Sequence, residues 1–292
     1  MKDLKADYLE PRMSQAQLER LKQTIDRAKK ENRKERQKAG LTRLAACAAA
    51  AAIVFVVLPN ISAAAAYAME QLPVIGQLVK IVTFRSYEYE DAKHEAEIEV
   101  PELGVEQLME DKELQASLDS TTGEINEEIR KITTELLEEF MVYVRDEMGY
   151  KEVMVKSEVL AATPHYFALK LCCYQAEASG YEENYYYTID LMSGERLRLK
   201  DIFLEGSDYI ARISDNIKEQ MLQQMEEDEG KTYWLDSEFE DMDFKGITEE
   251  TSFYLNEKNN VVIGFNEGEV APMYMGAVEF EIPPEVLSDI RK

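Results

Sequence analysis

Residues 44–69, LAACAAAAAIVFVVLPNISAAAAYAM, carry no charged side chain and divide the chain into two parts of opposite charge. Residues 1–43 hold thirteen Lys/Arg against seven Asp/Glu, a net charge of +6. Residues 70–292 hold twenty Lys/Arg against fifty-one Asp/Glu, a net charge of −31. This order predicts a membrane-anchored protein with a small basic tail inside the cell and a large acidic domain outside. Such an arrangement suits a signalling receptor better than an enzyme.

Residues 44–66 are predicted to form a single transmembrane helix, because about 23 residues at 1.5 Å each span roughly 34 Å. The basic residues that precede this run place the N-terminus in the cytoplasm and the C-terminal domain outside the cell membrane. The juxtamembrane segment 67–84 is predicted to contain a short amphipathic helix at the bilayer surface. The apolar residues behind this prediction are Val74, Ile75, Leu78, Val79 and Val82.

A small-x-small pattern, Ala66-Tyr67-Ala68, is typical of the sites after which signal peptidase cuts. The tail before the apolar run is too long for an ordinary signal peptide. The segment is therefore interpreted as an anchor that also carries a cleavable bond, between Ala68 and Met69. The alternative is a chance occurrence of the pattern in an alanine-rich stretch.

The basic tail, residues 1–43, is predicted to be helical. Residues 14–17 (SQAQ) fit a capping box, and Leu18, Leu21 and Ile25 follow at helical spacing. One narrow apolar stripe would gain stability by docking on a partner protein. The alternative is a solvated or lipid-facing basic helix.

The outer residues 85–292 are predicted to fold as an α+β domain of antiparallel strands with two packed helices, either whole or as two subdomains, 85–176 and 177–292. Residues 121–124 (TTGE) fit a capping box for the first helix, and Ser207 precedes the second. Strands are predicted at residues 94–100, 152–161, 166–176, 185–191, 253–255, 261–265 and 277–282.

No pattern in the chain indicates catalysis, a cofactor or a metal site. There are only two histidines, His94 and His165, and no Cys/His set has zinc-ligand spacing. Cys172 and Cys173 are adjacent on a predicted strand and point to opposite faces, which favours two thiols over a strained disulfide. The acidic runs are interpreted as a solvated face, because they lack the order of ligands and glycine of a calcium loop.

Residues 269–276, EVAPMYMG, place Pro272, Met273 and Tyr274 between two predicted strands, where a surface loop is usually polar. Exposed aromatic and thioether groups at a rigid turn are typical of a binding surface. The alternative is a loop that folds back onto the core.

Three segments of the chain together carry a family resemblance. They are residues 66–69 (AYAM) with 72–76 (LPVIG) and 81–84 (IVTF), residues 216–225 (NIKEQMLQQM) with 233–235 (YWL), and the EVAPMYMG segment with Glu279 and Phe280. In these segments the chain resembles the RsiV-type, membrane-anchored anti-sigma factors that respond to lysozyme. The resemblance covers most of the chain in the same order.

This resemblance implies a signalling mechanism. The tail, through Leu18, Leu21 and Ile25, would hold an extracytoplasmic-function sigma factor inactive in the cytoplasm. Binding of a C-type lysozyme outside would expose the bond after Ala68 to signal peptidase. A site-2-type intramembrane protease would then cut within residues 44–58 and free the sigma factor to switch on lysozyme-resistance genes.

The resemblance also implies a lysozyme-binding surface made of Ser179, Gly180 and Tyr181 together with Pro272, Met273 and Tyr274. The chain departs from the family at Gly180, where a serine is expected, and at Met273, where a glycine is expected. The acidic outer domain would steer a basic lysozyme toward this surface and raise the association rate. The alternative reading of the charge is solubility alone.

Two other functions remain open from the sequence. The outer domain could serve as a membrane-anchored cell-wall or glycan-binding module without control of a sigma factor. It could also be an enzyme of an unrecognised type, which would require carboxylates with displaced pKa values grouped in a cleft.

Overall fold

The computed structural model of the protein describes residues 78–105, 111–235, 237 and 241–292, which belong to one compact unit. The predictions for the basic tail and for the transmembrane helix 44–66 lie outside the described residues. So do the predicted sigma-binding and cleavage-site residues Leu18, Leu21, Ile25, Ala66, Ala68 and Met69. Among the described residues, no helix has both the length and the apolar character that a membrane span requires.

A five-stranded sheet forms the first half of the described fold. Its strands lie in sequence order and are β1 (Val79–Glu90), β2 (His94–Val105), β3 (Lys151–Ala162), β4 (Tyr166–Ala176) and β5 (Gly180–Asp190). The α+β class is confirmed for this part of the chain, but the prediction of purely antiparallel strands is wrong. Strands β2 and β3 run parallel, because helix α1 (Lys112–Arg145) forms the long crossover connection between them.

One face of α1 and the alternating inward residues of the strands build the first hydrophobic core. Ile125, Ile129 and Phe140 of the helix are fully buried in it. They lie with strand residues that include Val153, Val155, Leu169, Leu171, Tyr187 and Ile189. Full burial of each such side chain stabilises the fold by roughly 1.5–3 kcal/mol. The apolar periodicity of α1 therefore fixes the helix against this sheet.

The structure corrects the predicted type of one element and the predicted start of another. The prediction of an amphipathic helix is wrong at Val79 and Val82, because both residues lie in β1, whereas Val74 and Ile75 lie outside the described residues. Val79 pairs with Val105 of β2 and is buried, whereas Val82 is 43% exposed. Apolar residues at these positions fit the helical period and the strand period alike, and the pairing with β2 selects the strand.

Helix α1 begins nine residues before the predicted capping box, at Lys112. Its true N-cap is Asp111, whose carboxylate accepts hydrogen bonds from the amides of Glu113 and Leu114 at 3.0 and 3.1 Å. Thr121, placed at the predicted start, is instead buried within the helix, where its hydroxyl donates to the Gly194 carbonyl at 2.7 Å.

The second half of the described fold is a three-stranded antiparallel sheet, β6 (Phe253–Leu255), β7 (Val261–Phe265) and β8 (Val278–Glu281), with helix α2 (Tyr209–Glu227). The predicted hairpin between β6 and β7 is confirmed. The prediction that Met221 of α2 is a core residue is confirmed as well, since it is fully buried in a second hydrophobic core. The fold ends with the single turn α3 (Pro284–Leu287).

The two sheets meet at a polar contact around Glu279 of β8. The rings of Tyr186 from β5 and Tyr254 from β6 stack at 5.6 Å. Their hydroxyls donate to the two carboxylate oxygens of Glu279 at 2.9 and 2.8 Å. Gly264 is required here, because a Cβ atom at that position would lie 2.7 Å from the Tyr186 ring. This contact fixes β8, and with it the loop that precedes β8, relative to β5.

Strand β5 pairs with β4 from Gly180 to Asp190, across the point where the two-subdomain alternative would divide the chain. The division of the outer residues into 85–176 and 177–292 stays a prediction.

Candidate partner-binding surface

The first predicted contact segment lies in the hairpin turn, residues 177–181, between β4 and β5. Ser179 is exposed, and Tyr181 is 39% exposed. The Glu177 amide donates to the Ser179 carbonyl at 3.2 Å. At Gly180 the ring of Tyr174 occupies the place of a side chain, since a Cβ atom there would lie 2.4 Å from the Tyr174 hydroxyl. A serine, which the resemblance leads one to expect at this position, would therefore require the Tyr174 ring to shift.

The second predicted contact segment is the VAP loop, residues 269–276. Its stem is anchored, because Val270 and Ala271 are buried in the second core. Its tip is a single 3-10 turn, Met273–Met275, that leaves Met273 46% and Tyr274 68% exposed. The loop therefore projects into solvent from a buried stem, which excludes the alternative in which the tip folds back onto the core.

Side chains of the VAP loop tip contact the rest of the fold at two places, since Met275 packs against the second core and Tyr274 forms a hydrogen bond. The Tyr274 hydroxyl donates to the Thr232 hydroxyl at 2.9 Å. Within the tip, the Met275 amide donates to the Pro272 carbonyl at 2.9 Å. These bonds hold the aromatic ring at a defined place on the surface while most of its area stays in contact with water.

The structure brings the two contact segments together through a connecting turn, residues 266–268. The Glu182 amide donates to the Glu267 carboxylate at 2.8 Å, and the Asn184 amide donates to the Asn266 side-chain oxygen at 2.8 Å. The Asn266 amide in turn donates to the Glu269 carboxylate at 2.9 Å. The sequence analysis missed this turn. The sequence feature that could have predicted this turn is Asn-Glu-Gly at residues 266–268, because Gly268 takes a positive φ of 79° that a glycine adopts easily.

Carboxylates surround the exposed tyrosine of the hairpin turn. Burial raises the pKa of Tyr181, and the negative charges of Glu183, Glu269 and Glu267 raise it further. Since these carboxylates come from β5, the connecting turn and the VAP loop, the local field is negative along the whole junction of the two segments. Such a surface favours a cationic partner.

The hairpin turn lies at the end of the first sheet that is opposite to Val79. Residue Ala176 pairs with Gly180 and with Glu152, and Lys151 pairs with His94, so the turn and the start of β2 share one end. Val79 pairs with Val105 at the other end of β2. At about 3.3 Å per residue, a 12-residue strand separates the two ends by roughly 40 Å.

A cleft of about 480 Å³ borders the stem of the VAP loop. Its apolar lining includes Trp234, Phe244, Phe265 and Val270, and its acidic lining includes Asp241, Asp243, Glu250 and Glu269. Hydrogen bonds from Ser237 and the nearby charge of Lys245 lower the pKa of Asp243. That carboxyl is therefore ionised at neutral pH and unsuited to act as a general acid.

The remaining residues that the sequence analysis considered for chemistry are dispersed. His94 is buried with Nδ1 3.0 Å from Asp91, and His165 is exposed. Cys172 and Cys173 are free thiols, as predicted, and Cys173 is a core residue. Within the part of the chain that the structure describes, no group of three or more His, Cys, Asp or Glu residues could hold a metal ion.

Comparisons with known proteins give one family match and one relative of high coverage. Residues 200–285 match the family described as "Protein of unknown function (DUF3298)". The chain is 38% identical over 244 residues to "Anti-sigma-V factor RsiV" of Bacillus subtilis (strain 168), which covers 83% of this chain and 81% of that protein.

Two solved structures align with most of this chain at low sequence identity. A DUF3298 family protein from Pseudomonas aeruginosa PAO1 superimposes with a TM-score of 0.50 at 13% identity, over 73% of this chain and 94% of that chain. A member of the same family from Bacteroides fragilis NCTC 9343 gives a TM-score of 0.44 at 17% identity, over 73% and 93%. At 13% identity, the similarity to the Pseudomonas aeruginosa structure supports the fold alone.

Proposed function

Since the chain belongs to the RsiV family of anti-sigma factors, we propose that it holds an extracytoplasmic-function sigma factor inactive and senses a C-type lysozyme outside the cell. Membership makes the chain a regulatory protein and not an enzyme, with a sigma factor as its partner. The sigma-binding part in this proposal is the basic tail, residues 1–43, with Leu18, Leu21 and Ile25 on its apolar stripe.

The observation that carries the lysozyme half of the proposal is the junction of the hairpin turn and the VAP loop. Two segments that are about 90 residues apart in sequence are brought together by hydrogen bonds from the Glu182 and Asn184 amides to side chains of the connecting turn, and each segment exposes a tyrosine. Tyrosines at the centre of an interface contribute much of the binding energy of a complex. The carboxylates around Tyr181 supply the negative field that a basic lysozyme requires.

In the proposed mechanism, the protein is a single-pass membrane protein with its C-terminal domain outside. Lysozyme binds at the end of the first sheet far from Val79, and the bond after Ala68 lies only eleven residues before Val79 in sequence. Binding would make this bond accessible to signal peptidase. An intramembrane protease would then cut within residues 44–58 and release the sigma factor.

The test of lysozyme recognition is calorimetry of the full chain in detergent micelles against a C-type lysozyme at two salt concentrations. A shaped interface is expected to give tight one-to-one binding that persists at high salt. Binding that vanishes with modest salt would mean that only opposite charges meet, and it would contradict the proposal.

The test of the cleavage site is the substitution Ala68→Trp, because signal peptidase accepts only small residues next to the cut bond. Lysozyme-induced shedding of the outer domain is expected to stop. Ala64→Trp is the matched control, since it lies outside the small-x-small pattern and should leave shedding intact. Unchanged shedding of the Ala68→Trp variant would exclude the assigned bond.

The test of the anti-sigma half is co-purification of a sigma factor with residues 1–43 from the native cell. Failure of any sigma factor to co-purify would contradict this half alone and leave the lysozyme half standing.

The cleft beside the VAP loop favours a second candidate function, a membrane-anchored module that binds cell-wall glycan. An aromatic ring, Trp234, lies there beside carboxylates such as Glu250 and Asp241, a combination of apolar and hydrogen-bonding groups typical of small-molecule sites. Retention of the chain on purified peptidoglycan without lysozyme, reduced by Trp234→Ala, would support this second function.

A further inference from the structure

A buried lysine lies directly behind the hairpin turn. Lys151 is the first residue of β3, and its side chain is 2% exposed. Its ammonium group lies 2.7 Å from the Glu139 carboxylate, 3.0 Å from the Gln175 side-chain oxygen and 3.1 Å from the Glu177 carboxylate. A lysine ammonium has three N–H donors, and all three have an acceptor here. These three contacts offset the free-energy cost of burying the charge. The offset depends on all three acceptors staying within hydrogen-bond distance of the ammonium group.

The three acceptors of Lys151 belong to three different parts of the fold. Glu139 lies on α1, Gln175 lies near the end of β4, and Glu177 is the first residue of the hairpin turn. The Tyr143 ring of α1 lies 5.0 Å from the Lys151 nitrogen. The neighbouring Tyr143 hydroxyl and the Lys151 ammonium both lower the pKa of Glu177, so α1 and β3 both contribute to the surroundings of this carboxylate.

Glu177 is connected by the backbone to the predicted contact residues of the hairpin turn. The Glu177 amide donates to the Ser179 carbonyl at 3.2 Å, and Gly180 follows with the first pair of the β4–β5 ladder. A turn that is fixed before binding loses less conformational entropy when its partner binds. The side chain of Lys151 is too deeply buried to contact a partner itself.

We propose that Lys151 is a positioning residue for partner recognition, which fixes the hairpin turn through Glu177 so that Ser179 and Tyr181 are presented in their binding conformation. This role rests on the proposed recognition of lysozyme at the hairpin turn.

The chain offers a matched control on the neighbouring strand. Lys170 of β4 is 20% exposed and also lies between two carboxylates, at 3.2 Å from Glu158 and 3.7 Å from Glu279. Neither of these carboxylates belongs to the hairpin turn. Lys170→Met therefore removes a paired, partly buried lysine without touching the Glu177 contact.

The first measurement is hydrogen exchange of the full chain in detergent micelles without a partner. In Lys151→Met, the amides of residues 177–181 are expected to exchange at least about tenfold faster, because opening of the turn no longer breaks the Glu177 contacts. Lys170→Met should leave these amides at the wild-type rate. Equal exchange in wild type and Lys151→Met would overturn the proposal.

The second measurement is the affinity for a C-type lysozyme. Lys151→Met is expected to weaken binding about tenfold. The control for the affinity is Lys156→Met, because Lys170 also contacts Glu279 beside the VAP loop. Lys156 is exposed and pairs with Glu97 at 3.3 Å, so Lys156→Met should leave the affinity unchanged. In a Tyr181→Ala background, Lys151→Met should have little further effect, because both changes act on the same turn. Fully additive effects would mean that Lys151 acts elsewhere and would overturn the proposal.

One outcome separates this role from the proposed function. A wild-type chain that does not bind lysozyme, with a turn that still loosens in Lys151→Met, would reject lysozyme as the partner and keep Lys151 as the residue that orders the turn. Where Lys151→Met fails to fold, Glu177→Gln gives the same test. This change weakens the contact with Lys151 from the exposed side and leaves no buried cavity.

Discussion

The hairpin turn and the VAP loop contribute to one surface, yet the fold holds them in different ways. The hairpin turn is held by charged and polar contacts to Glu177, from the ammonium of Lys151 and the hydroxyl of Tyr143. The VAP loop is held by its apolar stem, in which Val270 and Ala271 are buried in the second core. Polar contacts fix direction, whereas apolar burial supplies most of the free energy.

This difference shows how a small domain can present a rigid surface from two distant segments. The hairpin turn takes its order from polar contacts and the VAP loop from its apolar stem, and the connecting turn then needs only a few hydrogen bonds to align them. The two segments should consequently respond to different perturbations, the VAP loop to loss of apolar volume and the hairpin turn to loss of charge.

The largest effect is expected from Phe280→Ala below the VAP loop. Phe280 is fully buried, and its ring centroid lies 5.6 Å from that of Tyr233 and 6.0 Å from that of Phe265. Truncation of a buried phenylalanine lowers the free energy of unfolding by about 3–5 kcal/mol. Chemical denaturation measures this loss, and hydrogen exchange should show faster opening of the VAP loop than of the hairpin turn. An equal increase in the hydrogen-exchange rates of both segments would contradict the idea that the two segments are held in different ways.

A smaller effect, on binding alone, is expected from Tyr274→Ala. Since the side chain is 68% exposed, its removal should leave the stability nearly unchanged but weaken lysozyme binding by about 2 kcal/mol or more, measured by calorimetry. Tyr274→Phe is the matched control, because it removes only the hydrogen bond to Thr232 and keeps the ring. An unchanged affinity in Tyr274→Ala would remove the VAP loop from the interface and leave the hairpin turn as the contact.

Much of the fold could be predicted from the sequence, because periodicity reports burial. The alternation in β4 and the helical spacing of Ile213, Ile217 and Met221 in α2 each permit one interpretation. Residues 78–82 fit two periods at once, and only their pairing with β2 decides between helix and strand. The start of α1 was misplaced because Thr121 and Thr122 resemble a cap, yet their hydroxyls bond within the folded core.

The exposed residues of the candidate surface could be named from the resemblance, but their assembly could not be derived from the sequence. The contact between Glu182 and Glu267 spans 85 residues of sequence and depends on how the two sheets pack. Likewise, nothing in the local sequence around Lys151 predicts that it is buried, since its acceptors Glu139 and Glu177 come from other elements. Such long-range polar contacts leave no periodic trace in a sequence.

The smallest effect is expected from acidification, which should separate the two segments most cleanly. Hydrogen bonds from Tyr143 and then from Lys151 lower the pKa of Glu177 below its usual value of 4.5. A carboxyl with a lowered pKa in the folded state stabilises the fold above its unfolded-state pKa, and this contribution is lost as the pH falls through the folded-state pKa.

As the pH falls through the lowered pKa of Glu177, NMR should therefore show shifts of the amides of residues 177–181, while the amides of Met275 and Gly276 in the VAP loop keep their hydrogen bonds to backbone carbonyls. Glu177→Gln should abolish the transition in the hairpin turn, because the amide side chain does not titrate. A transition of the same midpoint in both segments, retained in Glu177→Gln, would mean that one cooperative unit holds the whole surface. The division into a charge-held turn and an apolar-held loop would then be wrong.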